Sequence, residues 1–300
     1  MGYTFRLNRF FALEQIAFLR RPRRHWGTHL KLAREFFGMA FTDADPARPV
    51  LVLGAGWGLE IPWRLAPKNT FAWDADPLSR IGTLLRHRRW IPWIFDDLTG
   101  NLASLDQISR RVRVVEGCGK LRRVPVAAKR LAGLLPSVTP SADVLERWIQ
   151  RNRPGTIICA NVMGQIKPTA SRIIETAFTP HSPWVNDQDL ADPLHDAINE
   201  WTARVLRSIL NILCSSGSKL YLLHDRGVVH QESDVALGEW TNSWMEQVKS
   251  SDSHLEVSDP LSGVDMLKEL STLMCSSKAR WIWPLDPNQI HIVEALVFRP

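Results

Sequence analysis

Cysteine is scarce in this chain, four in 300 residues, and Cys118, Cys159, Cys214 and Cys275 stand too far apart to form a C-x-x-C pair. Scattered thiols suit a reducing, cytoplasmic compartment and argue against a disulfide framework or structural zinc, so no metal site is expected. Long apolar runs are missing too. None approaches the roughly 20 residues that a helix needs to cross a bilayer, so no transmembrane segment is expected. The opening MGYTFRLNRFF lacks the charged, apolar and small-residue order of a secretory leader, and Arg6 stands where N-myristoylation wants Ser or Thr. No Gly-Lys-Ser or Gly-Lys-Thr occurs, which excludes a P-loop. Repeats and low-complexity segments are absent. Tyrosine is down to two, against thirteen tryptophans. Most of those indoles are expected in the core, with a few available to line a pocket.

What remains is an ordinary globular composition, 45% apolar over a length that suits one large domain or two small ones. The formal net charge of +6 is concentrated in clusters at Arg20 to Arg24, Arg86 to Arg89, Arg110 to Arg113 and Lys120 to Arg130. Such clusters suit an anionic partner, whether substrate, nucleic acid or acidic lipid, and equally suit solvated helix faces.

The most informative stretch is Pro49 to Pro77. Val50 to Leu53 is a short apolar run bounded by glycine, which reads as a buried strand. Gly54, Gly56 and Gly58 follow, allowing a sharp bend and close approach of a ligand to main-chain N–H groups. Leu59 to Leu65 is expected to start a helix, with Pro62 in its first turn. A second apolar run, Thr70 to Trp73, ends in Asp74-Ala75-Asp76-Pro77, which puts Asp74 20 residues after Gly54. A dinucleotide fingerprint would want a small residue where Leu59 stands, leaving a nicotinamide-dependent oxidoreductase as a weaker reading.

G-x-G-x-G after one strand, with an acid closing the next, resembles motif I and its partner acid in class I S-adenosylmethionine-dependent methyltransferases. The resemblance implies an α/β fold with a seven-stranded, mostly parallel sheet flanked by helices. It implies S-adenosylmethionine as cofactor, with Gly54, Ala55, Gly56 and Gly58 along its methionine and ribose part and Asp74, with Asp76 beside it, at the ribose hydroxyls. Arg111 to Glu116, followed by Gly117-Cys118-Gly119, resembles the family's third strand, and Trp90 to Phe95 then reads as an insertion or irregular edge. The family commonly carries an acid where Cys118 stands, so adenine recognition would pass to backbone groups or to Asp96 or Asp97.

Thr156 to Ala160 is a continuous apolar run that fits a central fourth strand, with Asn161 and Gln165 at the carboxyl edge where ligands gather in open parallel sheets. Asn161 is a candidate contact for cofactor or acceptor and equally a turn or cap residue. The segment lacks the Asn/Asp-Pro-Pro-Tyr/Phe tetrapeptide of the family's base-amine methylases and the Pro-Cys of its cytosine C5 methylases, which disfavours both. Lys167 to Asp189 reads as a lid or substrate loop, and Asp192-Pro193 opens a helix with Leu194, Ile198, Trp201, Val205 and Ile209 on one stripe and Gly217 after its end. Lys219 to Leu223 is the expected fifth strand. His224 at its end is a candidate general base, or a plain hydrogen-bonded histidine.

In the flanks, residues 1–48 read as a helical extension, with one amphipathic helix before Arg20 and a second over Trp26 to Phe41, suited to packing on the main domain or lying on a membrane. Residues 49–300 form the methyltransferase-like domain. It has a helical insertion over 231–279, with candidate helices Val235 to Val248 and Pro260 to Cys275. A closing hairpin, Arg280 to Leu285 and Ile290 to Phe298, matches the family's antiparallel pair. The sequence therefore points to methyl transfer to a small-molecule or protein acceptor. An inactive methyltransferase-like scaffold and an RNA methyltransferase are the alternatives, and a homodimer is a candidate assembly.

Overall fold

The computed structural model describes residues 25–112, 120–178, 188–230, 258–286 and 288–300, with Phe11, Trp244 and Glu246 besides. The strands are β1 (Val50–Leu53), β2 (Thr70–Trp73), β3 (Trp93–Ile94), β4 (Thr156–Ala160), β5 (Lys219–His230), β6 (Met274–Asp286) and β7 (Gln289–Arg299). They form one sheet in the order β3-β2-β1-β4-β5-β7-β6. β7 runs antiparallel to both its neighbours, and the other pairings are parallel. This is the seven-stranded, mostly parallel sheet of the class I methyltransferase-like fold.

Period-two alternation splits the strands between two cores. Leu51, Leu53, Ile157, Cys159, Leu220 and Leu222 face a layer built from α3 (Leu102–Arg111), α4 (Lys120–Leu134), α5 (Asp143–Asn152), α6 (Val162–Phe178) and α7 (Gln188–Ser215). Val50, Val52, Ile158, Ala160, Tyr221 and Leu223 face the other way, against α1 (Gly27–Thr42). Phe36, Phe37 and Phe41 of α1 and the preceding Trp26 bury on that face, and the Trp26 indole donates to the Leu285 carbonyl at 3.0 Å. Full burial of a large apolar side chain contributes about 1.5–3 kcal/mol, so four aromatics are enough to seat a helix. Further helices among the described residues are α2 (Leu78–His87), between β2 and β3, and the one-turn α8 (Met266–Glu269). No helix of the described residues is long and apolar enough to cross a membrane.

Several sequence expectations are corrected. Among the described residues the third strand is Trp93–Ile94, pairing with Ala72 and Trp73 of β2; of the expected strand Arg111 to Glu116, Arg111 ends helix α3 and residues 113–116 lie outside the described residues. A two-residue edge strand carries too little periodicity to stand out. Leu59 to Leu65 is not an α-helix: only Trp63–Leu65 forms a single 3-10 turn, with Pro62 before it at ψ 66°, outside the helical region. The expected lid begins as helix, since α6 runs through Pro168 to Phe178. β5 continues past Leu223 to His230, and β6 starts at Met274 rather than at Arg280, so the expected helix over 260–275 shrinks to α8. The expected helix before Arg20 and nearly all of Val235 to Val248 lie outside the described residues.

Arg89 and Arg110 of the basic clusters, and Arg80 beside them, make contacts within the fold. Arg89 donates to the carbonyls of Trp63, Arg64 and Pro67, and Arg110 pairs with Asp106. The guanidinium of Arg80 lies 3.6 Å over the Trp90 ring.

Candidate functional site

β1 and β4 are adjacent and parallel, yet the chain leaves one towards β2 and the other towards β5. The loops after them therefore diverge and open a crevice at their carboxyl ends, where open α/β sheets bind ligands. Gly54, Gly56 and Gly58 form one rim, and all three hold positive φ (69°, 48° and 64°). Their reasons differ. A Cβ on Gly54 would lie 2.6 Å from Val162 Cβ, and one on Gly58 would lie 2.2 Å from the Trp63 indole nitrogen. At Gly56 a Cβ would meet nothing within 4 Å. Two of the glycines thus serve packing, while the backbone at Gly56 borders open space. Ala55, between them, is buried. The Trp57 ring lies against Gly82 of α2.

Asp74, at the end of β2, closes the bend. Its Oδ2 accepts from the Gly56 N–H at 2.6 Å and its Oδ1 from the Asp76 N–H at 2.8 Å. Protein crowds the carboxyl from most sides, and solvent still reaches it, as at the floor of a cleft. Burial pushes its pKa up to about 6, against the two backbone N–H groups that lower it. Asp76, by contrast, is buried and engaged: it accepts from the Leu78 N–H at 2.9 Å and the Ser79 hydroxyl at 3.2 Å, fastening the first turn of α2.

Moving the third strand changes the neighbouring position as well. The residues that follow β3 are Phe95, Asp96 and Asp97, and Asp74 N–H donates to Ile94 O at 3.1 Å, so these acids leave the sheet beside Asp74. Asp97 is consumed locally, accepting from the backbone N–H groups of Thr99 and Leu102. Asp96 accepts from the Asp97 N–H and keeps partial exposure. Gly117 and Cys118 lie outside the described residues.

The opposite rim is polar and buried. Asn161, in the left-handed region at φ 55°, ends β4 and bridges to β5: its backbone N–H donates to Leu223 O at 2.8 Å, its Nδ2 donates to Asp225 Oδ2 at 3.0 Å, and its Oδ1 accepts from the Asp225 N–H at 3.1 Å. Exposed Gln165 on the first turn of α6 reaches the same Oδ2 at 3.4 Å. His291 of β7 puts Nδ1 3.0 Å from it, and His291 Nε2 lies 3.0 Å from the Gln289 amide nitrogen. With the amide on its Nε2 side, the ring turns Nδ1 towards the carboxylate without reaching hydrogen-bond geometry. Burial alone would raise the pKa of Asp225. The neighbouring His291 and the Asn161 amide outweigh it and hold the carboxyl below its usual range.

The ring of His291 lies against Trp283, which stacks on His29 of α1 at 4.1 Å. His29 Nδ1 accepts from the Trp281 indole at 3.0 Å, so its Nε2 carries the proton towards Glu60 Oε1 at 3.1 Å. Glu60 belongs to the segment that follows the glycine bend. A polar chain therefore runs from that bend under α1 to the end of β4.

His224 takes no part in it. Because β5 runs on to His230, His224 is interior to a paired strand, on the face opposite Asp225, fully buried and 3.5 Å from Glu294. Burial lowers its pKa, against the pull of Glu294. Asp225, His291, His29 and Glu60 carry no motif that sequence reasoning caught. The available signal was polar residues at core-facing strand positions: Asp225 follows Tyr221 and Leu223 in phase, and His291 precedes Val293 and Ala295. Among the described residues no group of three metal-ligating side chains assembles.

No protein-family model matches the chain, and no curated protein matches it. Among solved structures it is similar to the DhpI–SAM–HEP complex, at 10% identity with 96% of this chain and 97% of that one covered and a TM-score of 0.32. It is similar also to a SAM-dependent methyltransferase from Anabaena variabilis ATCC 29413, at 10% identity over 90% and 94% of the two chains with a TM-score of 0.33. The strand order, with β7 alone reversed, is what gives this chain its class I methyltransferase-like fold.

Proposed function

We propose that the chain is an S-adenosylmethionine-dependent methyltransferase acting on a small molecule or a protein side chain, in the cytoplasm that its scattered thiols suit. The observation that carries this reading is the Asp74 carboxylate locked to the Gly56 N–H at 2.6 Å beside a backbone with open space above it. A carboxylate offers about four acceptor sites, and Asp74 uses two on backbone N–H groups. Two remain for a vicinal pair of ribose hydroxyls. Gly54 to Gly58 would lie along the ribose and methionine part, and Asp96, one strand over, would accept from the adenine amino group. The acid missing at Cys118 would then come from the segment after β3, which weighs against an inactive scaffold. Asn161 would close the crevice from the β4 side, and Asp76 would act through the start of α2.

The cofactor supplies an activated methyl group on a sulfonium. What the chain must add is orientation and exclusion of water, and positioning alone can lower such a barrier by roughly 7–11 kcal/mol. Calorimetry with S-adenosylhomocysteine tests the reading. Binding by the native chain should weaken in Asp74→Asn by roughly ten- to a hundredfold, as expected for losing hydrogen bonds to a charged acceptor worth about 1.5–3 kcal/mol. Absence of binding at millimolar cofactor would leave only a methyltransferase-like scaffold.

A further inference from the structure

Resting on the methyltransferase reading, we propose that Asp225 is the acceptor-binding carboxylate and that the acceptor is an amine: its cation is held through an N–H, and it gives up one proton to solvent so that the freed lone pair can take the methyl group. The position comes from the sheet. β1, β4 and β5 are successive neighbours, and adjacent strands lie about 4.8 Å apart, so Asp225 stands two spacings, roughly 10 Å, from the line of the glycine bend. Asn161, which ends β4 between them, grips Asp225 with both side-chain atoms. This carboxylate therefore belongs to the rim across from the cofactor's expected seat.

The chemistry comes from its oxygens. Oδ2 is surrounded by Asn161, Gln165 and His291. Oδ1 is buried and has no hydrogen-bond partner among the described residues, although Asp225 is only 1% exposed. An unpaired carboxylate oxygen in such a place is costly, and a ligand N–H would satisfy it. The surroundings select a cation. Glu60 adds a second carboxylate along the same polar chain. Exposed Gln165 marks the side from which solvent, and an acceptor, comes nearest to Asp225.

The test uses the full chain with S-adenosylhomocysteine and three probes of similar size: ethylammonium, ethanol and acetate. The side-chain amide signals of Asn161 and Gln165 in isotope-labelled protein report occupancy at Asp225. Ethylammonium should shift them saturably, at least tenfold more tightly than ethanol, with no response to acetate. Asp225→Asn, which keeps size and hydrogen bonding but removes the charge, should abolish that preference while cofactor binding stays within twofold. Equal responses to ammonium and alcohol in the native protein overturn the inference whether or not the variant folds, as does a preference for acetate. If the homocysteine product binds and ethylammonium does not, only the acceptor assignment fails; if neither binds, the methyltransferase reading fails with it.

Discussion

On the proposed reading Asp74 must be charged to hold ribose hydroxyls, and its pKa, pushed up to about 6, makes that role sensitive to mild acid. Protonated, it keeps one good acceptor oxygen and loses its charge, so cofactor binding is coupled to proton release. Affinity for S-adenosylhomocysteine should be level above pH 7 and fall by up to about tenfold per unit once pH drops below Asp74's pKa, as one-proton linkage requires. Calorimetry from pH 5 to 8 checks it, and an affinity flat down to pH 5 would contradict the role of Asp74. Asp76, two residues on, also fastens the fold. Its oxygens hold the start of α2, and its replacement should be felt in stability before affinity.

Between β1 and β2 the element is a bend rather than a helix, and its glycines can be separated by experiment. Gly58→Ala must push a methyl into the Trp63 indole, 2.2 Å away, in a backbone conformation that L-residues avoid. Gly56→Ala meets open space and bears only the strain of its φ of 48°, a cost of about 1–2 kcal/mol. Thermal melts should show the larger loss in Gly58→Ala, whereas Gly56→Ala should stay folded and lose cofactor affinity. The reverse ranking would mean that the bend is not a ligand seat. The same contrast shows how far the sequence could be read. The three glycines, Asp74 and the apolar runs of β1, β2 and β4 were legible because glycine, acid and strand each carry a local signature. β3 was not, since two paired residues inside the aromatic stretch Trp90 to Phe95 have no period, and the helix expected after Leu59 is only a 3-10 turn, with Pro62 before it outside the helical region. The Asp225 network was hidden for another reason. Its members come from α1, the bend, β4, β5, β6 and β7, and only the sheet order brings them together.

Over the molecule as a whole, buried ionisable groups pull stability in opposite directions with pH. Asp74 is raised from 3.8 to about 6, so the folded state binds the extra proton between those values and Asp74 favours folding more as pH falls. His224 is lowered from 6.5, so the unfolded chain binds the extra proton and His224 favours folding less as pH falls below 6.5. With His224→Gln the second slope disappears, and Tm should drop less between pH 7 and 5 than in the native protein; equal acid losses in the two would remove His224 from the account. The order of the strands also governs how the sheet is assembled. β7, the last of the seven to be synthesised, slots between β5 and β6 rather than adding at the rim. Until residues 289–299 emerge from the ribosome, twelve-residue β5 must wait with its outer backbone groups unpaired, a sticky margin that invites wrong partners. Nascent chains stalled just short of β7 should therefore depend on chaperones, and extending them through residue 299 should bring the sheet together in a single late step.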